Sequence, residues 1–360
     1  VKDEGGTRGC PVGVLATGSA AGRERKGQLP GGNRQFIIDE QIFFTHIISI
    51  IMEHIVDSVR FAHLFFLDGV GLGDPDPAVN PFVTAELPHL NRLLGDNWFL
   101  QRERISTGRA SFVPTDPTLG VPGRPQSATG QATILTGRNV PRQIGSHYGP
   151  KPNRAVAEVI EAGTLFHEVV AAGGTAALIT PYPPRYFQAI ESGRRLLSAV
   201  PLAATSAGLA LMTEEDLRAG RAVSPGFTGQ GWRDHLGYDD MPLLSLPEAG
   251  ERIATIATTY TFSFFEHWPS DRRGHRGSLA EARAHLELID AVLGGLFAAW
   301  PANGLLIITS DHGNIEAKDR RQHTENPVPT VIMGPGHAEL ASLVHDLTDI
   351  APIVRKYLEI

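Results

Sequence analysis

Short runs of consecutive apolar residues punctuate this chain, and such runs are typical of strands buried on both faces of a parallel sheet. The clearest lies at 61–67 and ends in Asp68-Gly69. Similar runs lie at 262–265 and 305–308, and a further strand is predicted at 176–180. Because helical segments alternate with these runs, the pattern favours an α/β fold.

Sequence patterns typical of helices lie between the predicted strands. Short helices are predicted at 87–94 and at 164–172, the second stopped by two glycines. Serine followed by glutamate at the third position is the spacing of a capping box, which marks a helix start. It occurs at Ser245 before a helix at 249–260, and at Ser278 before a helix that reaches Trp300.

The pattern also suggests how the chain is organised. Residues 1–51 have no usable period and are rich in Gly, Ala and Arg, so we expect a disordered tail, or a start assigned upstream of Met52. Residues 52–180 and 245–360 are expected to form the core. The stretch 181–244, with its prolines, glycines and short helical pieces, is expected to form a small inserted cap.

Composition narrows the class of protein. The 42% apolar and 20% charged content is that of a globular protein, and a net charge of −7 argues against a nucleic-acid or anionic-membrane partner. The apolar stretch 42–52 is too short to span a bilayer. A single cysteine, Cys10, excludes a disulfide framework, and with no evident signal peptide it predicts a cytoplasmic protein. The oligomeric state is left open.

Acidic and imidazole side chains follow several predicted strands. Asp68 ends the first run, and Asp311-His312 and then His323 follow the run at 305–308. Asp271 and His275 come after the run at 262–265, one helical turn apart. Because ligands sit at the carboxyl ends of strands in open α/β sheets, these groups are expected to converge there.

Such pairs also occur on ordinary solvated surfaces, and Asp68 can simply begin a turn with Gly69. Three carboxylates and three histidines in equivalent places nevertheless favour a metal site, with enough donors for two ions. Mixed oxygen and nitrogen ligands accept Mn²⁺ or Zn²⁺.

A candidate nucleophile lies between these groups. Ser127 precedes a plausible helix, where serine commonly serves as an N-cap. A hydroxyl there also meets the positive end of the helix dipole and backbone N–H groups that can hold a phosphate oxygen. Coordination to a divalent ion can activate such a serine. Thr129 and Thr133 are competing hydroxyls.

These motifs, in this order, resemble those of the alkaline phosphatase superfamily, closest to the branch of cofactor-independent phosphoglycerate mutase and phosphopentomutase. The motifs that carry the resemblance are Asp68-Gly69-x-Gly71, Ser127-Ala128-Thr129-Gly130, Asp271-x-x-Gly274-His275, Asp311-His312-Gly313-Asn314 and His323-Thr324-x-Asn326-Pro327-Val328-Pro329. The resemblance implies a three-layer core, with a mostly parallel sheet flanked by helices and a small inserted cap.

The resemblance also implies a two-metal enzyme that transfers a phosphoryl group of a small phosphorylated metabolite through a phosphoserine. One ion would be held by Asp271, His275 and His323. The other would be held by Asp68, Asp311, His312 and the nucleophile Ser127.

Two departures from the mutases favour a hydrolase over a mutase. Gln131 stands where those enzymes place a histidine. The arginines of the predicted cap lack the spacing expected for gripping a phospho-acid, although Arg138, just after the nucleophile helix, is a candidate phosphate contact. The cap arginines are Arg185, Arg194, Arg195, Arg218, Arg221 and Arg233.

Several alternatives remain open at this point. The same core can act as a phosphodiesterase or nucleotide pyrophosphatase, or as a cofactor-independent phosphomutase. A sulfatase is disfavoured because Ser127 is not followed by that branch's proline and arginine. A catalytically silent, metal-stabilised binding protein is a further alternative from a different class.

Overall fold

A seven-stranded sheet runs through residues 60–360, the part of the chain that the computed structural model describes. These residues fall in one compact unit. The predicted tail at 1–51 and the suggested start at Met52 lie outside them. The strands are β1 Phe61–Leu67, β2 Ile105–Ser106, β3 Ala110–Thr115, β4 Ala176–Leu178, β5 Phe262–His267, β6 Gly304–Thr309 and β7 Val328–Met333.

The sheet is mixed and mostly parallel. Its order is β2-β3-β7-β6-β1-β5-β4. β1 pairs in parallel with both β5 and β6, and β4 pairs in parallel with β5, whereas β7 is antiparallel to its two neighbours. β6, β1, β5 and β4 therefore bring their carboxyl ends to one edge, and the predicted α/β class with a mostly parallel sheet is confirmed.

Both faces of the sheet are buried, which explains the continuous apolar runs. Leu64 and Phe66 of β1 belong to one hydrophobic cluster, whereas Phe65 and Leu67 belong to another. β5 and β6 divide their side chains between the same two clusters. Because successive side chains of a strand point to opposite faces, one apolar run supplies two cores. Helices cover each core, which gives the expected three layers.

Fourteen α-helices and three short 3₁₀ turns connect or cover the strands among the described residues. The 3₁₀ turns are Pro81–Val83, Trp98–Leu100 and Leu347–Asp349. The helices are α1 Pro88–Leu94, α2 Ser127–Thr136, α3 Val140–Ile144, α4 Arg154–Glu161, α5 Leu165–Ala171, α6 Pro184–Glu191, α7 Ala199–Ser206, α8 Glu214–Arg218, α9 Gln230–Leu236, α10 Leu246–Ala257, α11 Pro269–Arg276, α12 Leu279–Ala299, α13 His337–Ser342 and α14 Ile350–Leu358.

The capping boxes predicted from the sequence are present. Ser245 and Ser278 accept hydrogen bonds from the backbone of Glu248 and Glu281, whose carboxylates bond back to the serine N–H groups. The predicted helix at 249–260 starts three residues earlier than expected and ends at Ala257. Within 60–360, none of the helices is long and apolar enough to cross a membrane.

The stretch predicted to be a cap contains α6 to α9. Val200 and Ala204 of α7 are fully buried in the same cluster as Leu64 of β1, so this part of the stretch packs into the main body. A separate small cluster joins Leu217, Trp232 and Met241. The boundaries 181 and 244 stay a prediction.

Helices α10 and α12 cover one face of the sheet, and their backbones pack unusually close to each other. A Cβ added at Gly250 would overlap the Val292 carbonyl oxygen and lie 2.5 Å from the Leu296 nitrogen. Gly295 likewise faces the Pro247 carbonyl at a distance that leaves no room for a methyl group. Backbone atoms cannot move aside as side-chain tips do, so these glycines set the helix separation.

We expect Gly250→Ala to lower the free energy of unfolding by about 2 kcal/mol, because overpacking outweighs the gain in helix propensity. Urea unfolding followed by circular dichroism measures the change. Gly231→Ala in α9 is the matched control, since a Cβ there meets no atom within 4 Å. It is expected to stabilise by up to about 1 kcal/mol. Equal effects of the two substitutions would contradict the packing argument.

Candidate metal centre

Three neighbouring strands bring five of the six predicted aspartate and histidine ligands to one edge of the sheet, and the sixth, His323, lies in the loop before β7. Asp68 directly follows β1, and Asp311-His312 follow β6 after one residue. Asp271 lies in the first turn of α11, which begins just after β5. Because β6, β1 and β5 are adjacent and parallel, segments far apart in sequence converge here.

The first group of ligands surrounds the imidazole of His312. Its Nε2 lies 3.4 Å from Asp68 Oδ1 and 3.6 Å from Asp311 Oδ2. Asp311 and His312 are fully buried and Asp68 is 9% exposed. Asp68 Oδ1 has no hydrogen-bond partner among the described residues. One oxygen or nitrogen from each residue lies within 4.8 Å of the other two, so the three can share one cation.

The second group is built around Asp271. Its Oδ1 lies 3.4 Å from His275 Nε2, one helical turn away, and 3.7 Å from His323 Nε2. The two imidazole nitrogens are 3.2 Å apart. The other ring nitrogens are hydrogen-bonded to the carbonyls of Arg321 and Pro125 at 2.6 and 2.9 Å. These bonds leave the Nε2 atoms to face Asp271.

The two groups touch through stacked imidazoles. The rings of His312 and His323 lie 3.6 Å apart with an interplanar angle of 13°. His312 is also within 4.8 Å of the donor atoms of Asp271 and His323. His312 is therefore within reach of the donor atoms of both groups, whereas the family resemblance implied a role in only one.

Electrostatics explains why this cluster suits cations. Burial, together with the charges of Asp311 and Asp271, raises the pKa of Asp68 well above its usual value. Burial and the charge of Asp271 also raise the pKa of Asp311. Burial and the nearby His323 hold the pKa of His312 well below its usual value. Neutral imidazoles and crowded carboxylates are the forms that a divalent cation stabilises.

The donor set thus fits divalent metal ions. Asp68, Asp311 and His312 would hold one ion, and Asp271, His275 and His323 would hold another. Oxygen and imidazole donors suit Mn²⁺ and Zn²⁺, and no thiolate lies among them.

Ser127 lies at the first position of α2, and its side chain faces this cluster. Its Oγ is 3.0 Å from His312 Nε2, and the residue is 7% exposed. The N-cap expectation was wrong: Gln126 occupies that position, and its side chain makes no capping bond. The serine hydroxyl is left for the site because it is not needed to cap the helix.

The competing hydroxyls are engaged elsewhere. Thr129 Oγ1 donates to the Gln126 carbonyl at 3.1 Å, and Thr133 Oγ1 donates to the Thr129 carbonyl at 2.8 Å. Both bonds hold the hydroxyls on the helix backbone. Ser127 is therefore the hydroxyl of this helix that the structure brings to the ligands.

Arg138 lies beyond the other end of α2. It is exposed and comes directly after the helix C-cap, Gly137. A helix of this length spans about 15 Å, more than an arginine side chain reaches. The structure thus does not bring the predicted phosphate contact to Ser127.

A buried glutamate that sequence reasoning missed holds the loops of the site together. Glu316 Oε2 accepts the backbone N–H groups of Gly71 and Asn314 at 3.1 and 2.7 Å. Its Oε1 accepts from the side chains of Thr324 and Asn326. An added Cβ at Gly71 or Gly313 would strike this carboxylate, which explains the two glycines once the structure is known.

Asn314, which the motif contained without a role, positions Asp271. Its Nδ2 donates to Asp271 Oδ1 at 2.6 Å and to the Asp271 carbonyl at 3.1 Å. The loop after β6 therefore orients the carboxylate of α11. A sequence pattern alone does not show which loop atoms meet across such a distance.

A second missed carboxyl lies beside the cluster. Glu266 of β5 is buried, which raises its pKa to about 7, and its charge also raises the pKa of Asp68. Tyr182 donates a hydrogen bond to Glu266 Oε2 at 3.0 Å. The site thus carries more acidic groups than the motifs indicated.

An open cavity of about 550 Å³ borders the second ligand group. His323 lines it, together with residues of both charges, among them Arg124, Asp319, Arg320 and Glu325. Arg124 is exposed and lies three positions before Ser127. The cavity gives a small molecule access to the edge of the ligand cluster.

This chain is similar to several known proteins. The curated relatives include 2,3-bisphosphoglycerate-independent phosphoglycerate mutases from Thermomicrobium roseum, 32% identical over 131 residues, and from Rhodopseudomonas palustris, 35% identical over 133 residues. These matches cover 32% and 34% of this chain. The chain spans only about a quarter of the length of these relatives, 25% and 26%.

Among solved structures, phosphoglycerate mutase from Leishmania mexicana is similar, with a TM-score of 0.42 and 12% identity. The alignment covers 83% of this chain and 95% of that one. The model of the Metalloenzyme superfamily matches residues 238–360, which contain five of the six predicted aspartate and histidine ligands. The resemblance that the motifs indicated is therefore confirmed: this chain is similar to the Metalloenzyme superfamily over its C-terminal third and to phosphoglycerate mutases of the cofactor-independent kind.

Proposed function

We propose that this protein is a phosphoryl-transfer enzyme with two divalent ions, acting on a small phosphate ester through a phosphoserine at Ser127. The observation that carries the proposal is the position of Ser127 Oγ, 3.0 Å from His312 Nε2 at the centre of the ligand cluster. The name of the relatives, phosphoglycerate mutase, supports a phosphorylated metabolite as the substrate.

When bound, the ions would neutralise phosphate charge and lower the pKa of the serine hydroxyl. Ser127 Oγ then attacks phosphorus as the bond between phosphorus and the alcohol oxygen breaks. The proton that the serine gives up balances the proton that the leaving alcohol takes up. Water attacks the phosphoserine in the second half, releases inorganic phosphate and restores the hydroxyl.

The protein's own residues mainly position the reacting groups. α2 presents Ser127 at a helix N-terminus, where the helix dipole favours an anion. Glu316 and Asn314 fix the loops that carry the ligands. The alcohol part of the ester would lie toward the cavity beside His323.

Three of the six cap arginines are engaged with carboxylate or carbonyl groups, which favours hydrolysis over mutase activity. Arg218 forms two bonds to Asp240 at 2.7 and 2.9 Å, and Arg221 pairs with Asp216 at 2.7 Å. Arg233 donates to the Met241 carbonyl. Arginines engaged in this way do not offer the grip on a phospho-acid that a mutase needs to retain its intermediate.

Mutase activity is the second candidate, because the curated relatives are mutases. Either activity would use the same serine and ligands and would differ only in whether water or a second hydroxyl accepts the phosphoryl group. Phosphodiester cleavage is a third outcome that the assay below separates.

Ser127→Ala is expected to reduce turnover at least about 1000-fold, because the covalent intermediate can no longer form. Metal content, measured by inductively coupled plasma mass spectrometry, should be unchanged because all six aspartate and histidine ligands remain. Thr129→Val, which removes a hydroxyl held by the helix backbone, is the control and should retain turnover. If Ser127→Ala stays active and Thr129→Val does not, the nucleophile is Thr129.

The substrate class is tested with aryl phosphate monoester and diester substrates, with Mn²⁺, with Zn²⁺ and after chelation. We expect metal-dependent turnover that is faster on the monoester, because a monoester offers three unsubstituted oxygens to two ions. Faster diester cleavage would instead identify a phosphodiesterase. Sugar and glycerate phosphates, analysed by ³¹P NMR, then show whether phosphate is released or moved within the molecule.

A further inference from the structure

The first turn of α2 packs directly against Asp311. A Cβ added at Gly130 would lie 2.8 Å from the Cβ of Asp311 and 3.0 Å from its carbonyl oxygen. No side chain separates the helix from the end of β6 at this point. The helix that carries Ser127 and the strand end that carries Asp311 therefore form one rigid contact.

Gln131 follows Gly130 and reaches the carboxylate itself. Its Nε2 donates to Asp311 Oδ2 at 3.2 Å, and the glutamine is 3% exposed. Among the described residues, the other oxygen, Oδ1, accepts a long bond of 3.4 Å from the Gly69 N–H. Gln131 thus supplies the side-chain donor that fixes the rotation of this fully buried carboxylate.

The amide is well suited to this contact. A carboxylate can only accept, so the bond requires the nitrogen of the amide to face it. Gln131 Oε1 has no hydrogen-bond partner among the described residues. The side chain is therefore held by this bond and by its packing, and the bond to Asp311 accounts for the presence of a polar group there.

We propose that Gln131 is a positioning residue that sets the metal affinity of the group formed by Asp68, Asp311 and His312. Its N–H holds the Asp311 side chain turned toward the other two ligands. Partners of metal ligands act in this way, and losing one typically weakens metal affinity by about 10- to 100-fold. The inference depends on the proposed metal site, but it concerns a residue outside the ligand set.

The test is isothermal titration of the full, chelator-treated chain with Mn²⁺. Gln131→Met keeps the length and removes the donor, and Gln131→Asn keeps the amide but shortens its reach. Both are expected to weaken one class of Mn²⁺ sites by about 10- to 100-fold. Gln131→His, whose ring nitrogen can donate from a similar place, is expected to bind Mn²⁺ with the wild-type affinity.

Thr133→Val is the matched control, since it removes a buried hydrogen bond from the same helix without touching Asp311. It should lower the melting temperature of the metal-free chain but leave the Mn²⁺ affinity unchanged. Wild-type affinity in both Gln131→Met and Gln131→Asn would overturn the positioning role while leaving the metal site intact. A wild-type chain that binds no Mn²⁺ and no Zn²⁺ would instead overturn the proposed function, and the inference with it.

Discussion

Repulsion between closely spaced carboxylates is the constraint on which the rest of this structure depends. Asp68, Asp271 and Asp311 meet at one edge of the sheet, and their mutual charge and burial raise the pKa of Asp68. A chain that folds into this arrangement must offset a large desolvation cost. Divalent cations would do so directly, since they replace repulsion between like charges with attraction to a common centre.

The sheet order makes this meeting unavoidable. β1 lies between β6 and β5, so the ligand at the end of β1 has those at the ends of β6 and β5 on either side. The surrounding bonds then hold the ligands in place against their repulsion. Glu316 links the loop after β1 to the loop after β6, and Asn314 links that loop to α11. The fold positions the ligands, and these buried side chains orient them.

Much of the centre was predictable from sequence for a physical reason. Buried parallel strands are visible as apolar runs, and their carboxyl ends lie at one edge, so Asp68, Asp271 and Asp311 could be placed together without coordinates. Capping boxes identified Ser245 and Ser278 as the N-caps of α10 and α12, because that signal is local. The ligand roles and the phosphoserine remain predictions that the expected metal binding and loss of turnover in Ser127→Ala will test.

What sequence reasoning missed depends on contacts between distant segments. Ser127 was expected at the N-cap, but it lies at the first position of α2, and its hydroxyl faces His312, a contact that a local pattern does not contain. Arg138 is near Ser127 in sequence but at the opposite end of a helix. Glu316 gave no periodic signal, since a buried carboxylate is recognised only by the four donors around it.

Gly130 shows how such contacts restrict change over evolutionary time. Any side chain at this position would push α2 away from the end of β6, so the helix and the strand end can drift only together. New specificity in this chain is therefore most accessible through the loops that border the cavity, which can vary without displacing the nucleophile.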